Sequence, residues 1–133
     1  MARILIVEDE DAIIELYSQM LELFGHSIVG VARDGEAALQ ALRGSAPLPD
    51  VIVLDHRMPR VTGLEVLGLL PSRASGIPII FATADESVRS AAGERGAFAV
   101  LVKPFSMDRL VDQVARAVGA PTGNKGGGAS ASA

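Results

Sequence analysis

The chain lacks cysteine, an excess of positive charge and long apolar runs, and each absence excludes a class of protein. Without cysteine there is no disulfide framework and no thiolate metal site, so a bound metal must be held by oxygen. The net charge of -4 gives no attraction to nucleic-acid phosphates or to an anionic membrane, and we expect no direct contact with either. No apolar stretch approaches about 18 residues and no signal peptide is evident, which predicts a cytoplasmic protein. The 133 residues are enough for one core, not two.

Short apolar runs rich in Val and Ile alternate with segments of helical period. The runs lie at 4–7, 27–32, 51–54, 79–82 and 100–102, the one at 27–32 being the weakest. This alternation is typical of βα units around a parallel sheet. It predicts a three-layer α/β domain with a five-stranded, doubly wound parallel sheet and helices on both faces.

The first helix should begin near Asp11, end before Gly25 and turn one apolar face to the sheet. That face is predicted to contain Ile13, Leu16, Tyr17, Met20 and Phe24. Further helices are expected at 35–43, 64–70, 87–95 and 108–118, the last with Leu110, Val111, Val114 and Val118 inward. We therefore place the domain at 1–119 and expect residues 120–133, which are rich in Gly, Ala and Ser, to be a disordered tail or linker remnant.

Polar residues end the apolar runs. Glu8 and Asp9 follow the first, Asp55 follows the third, Thr83 the fourth and Lys103 the fifth. In open parallel sheets the functional crevice lies beyond the carboxyl ends of the strands, so these side chains should converge there.

Three carboxylates in one crevice should recruit a cation. Without one, negative charges so close together would raise the pKa of a carboxyl group. Mg²⁺ (or Mn²⁺) takes oxygen ligands, and Glu8, Asp9 and Asp55 supply them. The three carboxylates, the divalent cation and the Lys103 ammonium then sum to a net charge of zero. Such a site suits phosphoryl transfer, with Asp55 attacking and with the cation, Lys103 and the Thr83 hydroxyl holding the equatorial oxygens.

Small residues, Ala84 and Gly63, would leave room beside that site. Glu10 and Asp11 are read instead as a solvated helix start that the helix dipole favours. His26 and His56 have no partner at ligand spacing and receive no role.

Taken in order, these motifs resemble the response-regulator receiver domain of two-component signalling, across roughly residues 2–119. The matching segments are Val7-Glu8-Asp9, Leu54-Asp55-His56-Arg57-Met58-Pro59, Gly63-Leu64-Glu65, Ala82-Thr83-Ala84 and Val102-Lys103-Pro104-Phe105. The resemblance implies that a histidine kinase or phosphotransfer protein phosphorylates Asp55 to an aspartyl phosphate with Mg²⁺. It also implies that the backbone carbonyl of Arg57 completes the metal shell, and it implies the flavodoxin-like strand order 2-1-3-4-5 with a cis peptide at Lys103-Pro104.

The leading hypothesis is therefore a phosphorylation-gated signalling module, a single receiver without its own output domain, which catalyses only its own phosphorylation and dephosphorylation. A downstream protein would bind the face formed by the fourth helix, the fifth strand and the fifth helix. The domain would be a monomer or a phosphorylation-dependent dimer.

One position departs from the family pattern. Three residues before Lys103 the family commonly has Tyr or Phe, and this chain has Val100. Phe98 should share a face with Val100, but nothing indicates that it substitutes. Output is then expected from the Thr83 loop and the helix that follows it. Val100 also favours an alternative, a pseudo-receiver that binds a partner constitutively; Asp55→Asn would leave its signalling unchanged.

Two hypotheses concern flanking residues. Arg57 and Asp85, each two residues beyond a site residue, are expected to pair over the site and slow hydrolysis of the aspartyl phosphate. Ile14 and Leu21, seven apart and off the predicted core face, are a candidate kinase-docking surface, or else peripheral core.

Two enzyme classes fit poorly. A flavodoxin-like flavin protein needs an anion-binding loop after the first strand, where the acidic run 8–11 would repel a phosphate. A haloacid-dehalogenase-type phosphatase needs an acidic residue two positions after the nucleophile, where this chain has Arg57.

Overall fold

A computed structural model describes residues 1–58 and 60–119 and contains one parallel sheet of five strands. The strands are β1 Arg3–Val7, β2 Ser27–Ala32, β3 Val51–Asp55, β4 Ile79–Thr83 and β5 Ala99–Val102. Their order is β2-β1-β3-β4-β5, so the predicted fold class and strand order are confirmed. The tail predicted for 120–133 lies outside the described residues.

Helices cover both faces of the sheet. They are α1 Asp11–Leu23, α2 Gly35–Arg43, α3 Gly63–Leu69, α4 Arg89–Glu94 and α5 Met107–Gly119, with 3₁₀ turns at Ser72–Ala74 and Glu86–Val88. The core on one face includes residues of α1 and α5, and the core on the other includes residues of α2, α3 and α4. Because both faces are covered, every residue of β3 and β4 is buried, which explains why each strand is apolar up to its last residue, Asp55 or Thr83.

The apolar face predicted for α1 was correct at Tyr17 and, in part, at Ile13, but wrong at Leu16 and Phe24. Leu16 and Phe24 are 42% and 55% exposed, whereas Ile14, Tyr17 and Leu21 are buried against the sheet. The apolar residues of the predicted face and those of the observed face both recur at spacings of three and four, so a helix can bury either face. The proposed docking surface of Ile14 and Leu21 is therefore also wrong, because these side chains are core.

Smaller differences occur at other helices. In α5 Ala117 is buried and Val118 is 39% exposed, the reverse of the predicted inward position for Val118. The third helix begins one residue earlier than predicted, because Thr62 and Glu65 form a reciprocal capping box at its start. The fourth begins as a 3₁₀ turn and has only six α-helical residues.

The edge strand β2 pairs irregularly with β1. Ile4 lies opposite Ile28, but Leu5 lies opposite Gly30, so Val29 is an extra residue in the ladder. Val29 and Val31 are 44% and 41% exposed. The strand thus presents two apolar side chains at the margin of the sheet.

Among residues 1–58 and 60–119, no helix is both long and apolar enough to span a lipid bilayer.

Candidate functional site

The register of the strands brings the predicted site residues to one edge of the sheet. Asp55, the last residue of β3, lies opposite Ala82 of β4, and Thr83, the last residue of β4, lies opposite Val102 of β5. Lys103 comes directly after β5, and its backbone N–H donates to the Thr83 carbonyl at 2.7 Å. Neighbouring parallel strands end together, and their terminal side chains therefore share one crevice.

Three carboxylates form an acidic cluster in this crevice. One oxygen from each of Glu8, Asp9 and Asp55 lies within 4.8 Å of the others. Glu8 and Asp55 are only 1% and 5% exposed, while Asp9 is open to solvent. The cluster therefore has a buried base and an accessible rim.

Lys103 supplies the opposing charge. Its Nζ donates to Asp55 Oδ1 at 2.7 Å and lies 3.9 Å from Glu8 Oε1. One ammonium thus faces two buried carboxylates. The balance of the site remains negative, since Asp9 adds a third carboxylate.

The pKa values of the two buried carboxyls respond to this arrangement. Burial raises the pKa of Glu8 to about 7; the charge of Asp55 adds to the effect and Lys103 opposes it. Burial also raises the pKa of Asp55, against the hydrogen bond and charge of Lys103. Both carboxylates are costly to ionise without a further cation.

The donor set fits a hard divalent cation. Glu8 Oε1 is buried and has no hydrogen-bond partner among the described residues. A buried acceptor without a donor is unfavourable, and a cation would satisfy it. Three carboxylates offer the oxygen ligands that Mg²⁺ and Mn²⁺ prefer.

Thr83 is 1% exposed and oriented by its neighbour. Its hydroxyl oxygen accepts the backbone N–H of Asp85 at 2.9 Å, which leaves the hydroxyl proton free to donate. Ala84 after it is exposed. Gly63 lies so close to the acceptor loop that a Cβ there would be 2.5 Å from the Asp55 carbonyl oxygen.

An open cavity of about 440 Å³ adjoins the acidic cluster and shares Asp9 with it. Its lining consists of Asp9, His56, Arg57, Met58, Thr62 and Asp85. Within the described residues Arg57 makes no ion pair with Asp85; the Asp85 carboxylate accepts instead from the Ser87 backbone N–H and hydroxyl. The two residues expected to pair therefore line the same cavity without forming an ion pair, and their pairing stays a prediction.

One residue that lines the cavity, His56, has no role predicted from its sequence context. The His56 ring lies 5.7 Å from the Phe81 ring, and its Nδ1 accepts the Leu64 backbone N–H at 3.4 Å. Its position next to Asp55 was the available signal. His26, by contrast, accepts the Ala2 N–H at 3.1 Å, at the opposite end of the sheet.

The position that departs from the family pattern is partly buried. Val100 packs against the core on the α4 side, and Phe98, 41% exposed, precedes the strand. The peptide bond between Lys103 and Pro104 is cis, as the resemblance implied.

Comparisons with known proteins agree with one another. A family model described as the response regulator receiver domain matches residues 4–115. Response regulator MprA of Mycolicibacterium vanbaalenii is 38% identical over 131 residues, 97% of this chain and 55% of that protein. Response regulator MprA of Mycobacterium avium is 40% identical over 111 residues, 82% of this chain and 47% of that protein. The chain thus spans about half the length of the curated relatives it matches.

Solved structures show the same fold. The receiver domain of the Francisella response regulator 1452 has a TM-score of 0.79 at 27% identity, covering 89% of this chain and 97% of that one. The signal receiver domain of the putative response regulator NarL from Mycobacterium tuberculosis has a TM-score of 0.75 at 28% identity, covering 88% and 95%. A structure titled BeF3-activated DrrB receiver domain has a TM-score of 0.75 at 25% identity, covering 89% and 97%. The chain belongs to the response-regulator receiver domain family of two-component signalling.

Proposed function

We propose that the domain is a phospho-accepting switch, in which Asp55 takes a phosphoryl group from a histidine kinase or a phosphotransfer protein. The observation that carries the proposal is the buried Asp55 carboxylate, 2.7 Å from the Lys103 ammonium and within 4.8 Å of the oxygens of Glu8 and Asp9. A nucleophile, a fixed cation and a ligand set for a mobile cation then lie in one crevice.

Glu8, Asp9 and Asp55 would hold Mg²⁺ or Mn²⁺, with the Arg57 backbone carbonyl as a further ligand. When bound, the ion neutralises charge on the transferred phosphoryl group. The unpartnered Glu8 Oε1 and the raised pKa of Glu8 support this assignment.

The protein's own residues account for the rest of the transfer. An Asp55 oxygen forms a bond to phosphorus while the bond from phosphorus to the donor imidazole nitrogen breaks, and the imidazole leaves with the electron pair. Lys103 moves from the carboxylate to a phosphoryl oxygen, and the Thr83 hydroxyl donates to another. Catalysis is confined to the domain's own phosphorylation and dephosphorylation.

Output would follow from the Thr83 loop. Thr83 holds the Asp85 N–H, Asp85 caps the 3₁₀ turn before α4, and in α4 only Ala92 is fully buried. So few apolar contacts make α4 the element that moves at the lowest free-energy cost. A change there would alter the α4-β5-α5 face for a downstream protein or for a second phosphorylated copy.

The test is intact mass spectrometry after incubation with Mg²⁺ and acetyl phosphate. We expect one phosphoryl adduct that disappears with EDTA and is absent from Asp55→Asn. Glu10→Gln is the matched control, since Glu10 is an exposed member of the same acidic run, and it should still form the adduct. An adduct on Asp55→Asn would mean that another residue is the acceptor.

The alternative is a pseudo-receiver, and the observation that favours it is Val100, too small for an aromatic switch. No adduct, together with no beryllofluoride binding to the wild-type protein, would favour this second function over the first. Direct nucleic-acid contact stays unexpected on charge, although one solved structure with the same fold is titled DNA-binding response regulator, LuxR family, from Staphylococcus aureus. That prediction is checked by gel shift with duplex DNA.

A further inference from the structure

The only tyrosine of the chain is buried in the core and stacks on a second aromatic ring. Tyr17, in α1, is 2% exposed, and its ring centroid is 6.4 Å from that of Phe105 with 28° between the ring planes. Phe105 is partly buried in the same core, two residues after Lys103. The stack therefore joins α1 to the turn that carries the Lys103 ammonium.

Helix geometry directs the Tyr17 side chain toward the site. Helical side chains point back toward the helix N-terminus, and α1 begins at Asp11, two residues after the Asp9 carboxylate. In agreement with this placement, burial and then the charges of Glu8 and Asp55 raise the pKa of the Tyr17 hydroxyl.

The position of the Lys103 ammonium depends on the position of the backbone at residues 103–105. Its side chain is 27% exposed, and the contacts that hold the ammonium are those to Asp55 and Glu8. A lysine has a flexible four-carbon stem that does not fix its own direction. The position of the turn at 103–105 therefore decides whether the ammonium stays 2.7 Å from Asp55 Oδ1.

We propose that Tyr17 is a positioning residue of the receiver site: its ring, stacked on Phe105, holds the turn at 103–105 so that Lys103 faces Asp55. The ring carries this role, so phenylalanine can replace tyrosine and leucine cannot. The consequence for phosphoryl binding rests on the proposed function; the consequence for the place of Lys103 does not.

The placement of Lys103 can be measured without any phosphodonor. Lys103 and Lys125 are the two lysines of the chain, so acetylation with a trace of acetic anhydride, mapped by mass spectrometry, gives a ratio with Lys125 as internal reference. An ammonium in an ion pair reacts slowly. In Tyr17→Leu the ratio of Lys103 to Lys125 labelling should rise roughly twofold to tenfold, the range expected when an aromatic pair is lost.

Three further variants keep the result specific. Phe105→Leu removes the stack from the other side and should raise the ratio equally, which serves if Tyr17→Leu folds poorly. Tyr17→Phe should restore the wild-type ratio. Leu21→Val, a buried change one turn further along α1, should leave it unchanged. Equal ratios in all variants, or the same rise in Leu21→Val, would overturn the proposal.

Beryllofluoride affinity, measured with Mg²⁺ present, tests the second consequence. In the wild-type background, Tyr17→Leu should weaken beryllofluoride binding by a factor similar to the change in the labelling ratio. In a Lys103→Met background, Tyr17→Leu should cause no further loss of binding, because both changes act through the same ammonium. Additive losses would contradict a role through Lys103. If the wild-type protein binds no beryllofluoride, the proposed function fails, while the labelling ratios still decide the role of Tyr17.

Discussion

Replacing Glu8 with glutamine should stabilise the cation-free domain at pH 8 and have little effect at pH 5. Glu8 is 1% exposed, and its pKa rises from 4.5 to about 7 on folding. Between these values the folded state binds more protons than the unfolded state, so stability falls as pH rises. The contribution is fully present below pH 4.5 and is lost as pH passes about 7.

The magnitude follows from the size of the shift. Each pKa unit corresponds to about 1.4 kcal/mol, so ionising Glu8 costs at most about 3 kcal/mol of the free energy of unfolding. Glutamine has the same shape and no charge. The gap between Glu8→Gln and wild type should therefore widen by about 2–3 kcal/mol between pH 5 and pH 8.

Urea unfolding followed by circular dichroism, in EDTA at several pH values, measures this gap. Glu10→Gln is the control and should show no such trend. Saturating Mg²⁺ should then restore the wild-type protein, with about 2.7 kcal/mol gained at a hundred times Kd, and stabilise Glu8→Gln less. A gap of the same size at pH 5 and pH 8 would refute the reasoning.

Three further predictions concern the loop beyond Asp55. Gly63→Ala should cost about 2 kcal/mol or more in urea unfolding, because the new Cβ would lie 2.5 Å from the Asp55 carbonyl oxygen; an unchanged midpoint would show that the loop yields freely. Arg60 has a φ of +71°, so Arg60→Gly should raise the free energy of unfolding by about 0.5–1 kcal/mol, and a loss of stability would contradict this. Arg57→Ala should speed loss of phosphate from the acetyl-phosphate-labelled protein severalfold if Arg57 pairs with Asp85 there; an unchanged half-life would sink the pairing.

The position of the site could be read from the sequence. Glu8, Asp55 and Thr83 each end an apolar run, and parallel strands end at a common edge, so their meeting follows from fold class alone. The inward face of α1 could not be predicted, because its apolar residues cover more than half of the helix circumference, which is wide enough for two overlapping apolar stripes. Which stripe is buried depends on how the helix rotates against the sheet, and that is decided by packing.

Other features of the site depend on contacts between residues that are far apart in sequence. The stack of Tyr17 on Phe105 joins residues far apart in sequence, and no local pattern announces it. The raised pKa of Glu8 results from burial beside Asp55, which a string of acidic residues does not reveal. The sequence therefore predicts where the candidate site residues lie, whereas the contacts that position them and shift their pKa values become evident only in the structure.

The extra residue in β2 bears on how the molecule behaves among its own copies. A straight edge strand that exposes valines is a template on which a second chain can extend the sheet, and such growth leads to aggregation. The bulge at Val29 breaks the spacing of the free N–H and C=O groups along that edge, so an incoming strand would lose its hydrogen-bond register within a few residues. The irregularity that weakens the pairing of β2 with β1 thus also makes this edge a poorer template for a second copy of the chain.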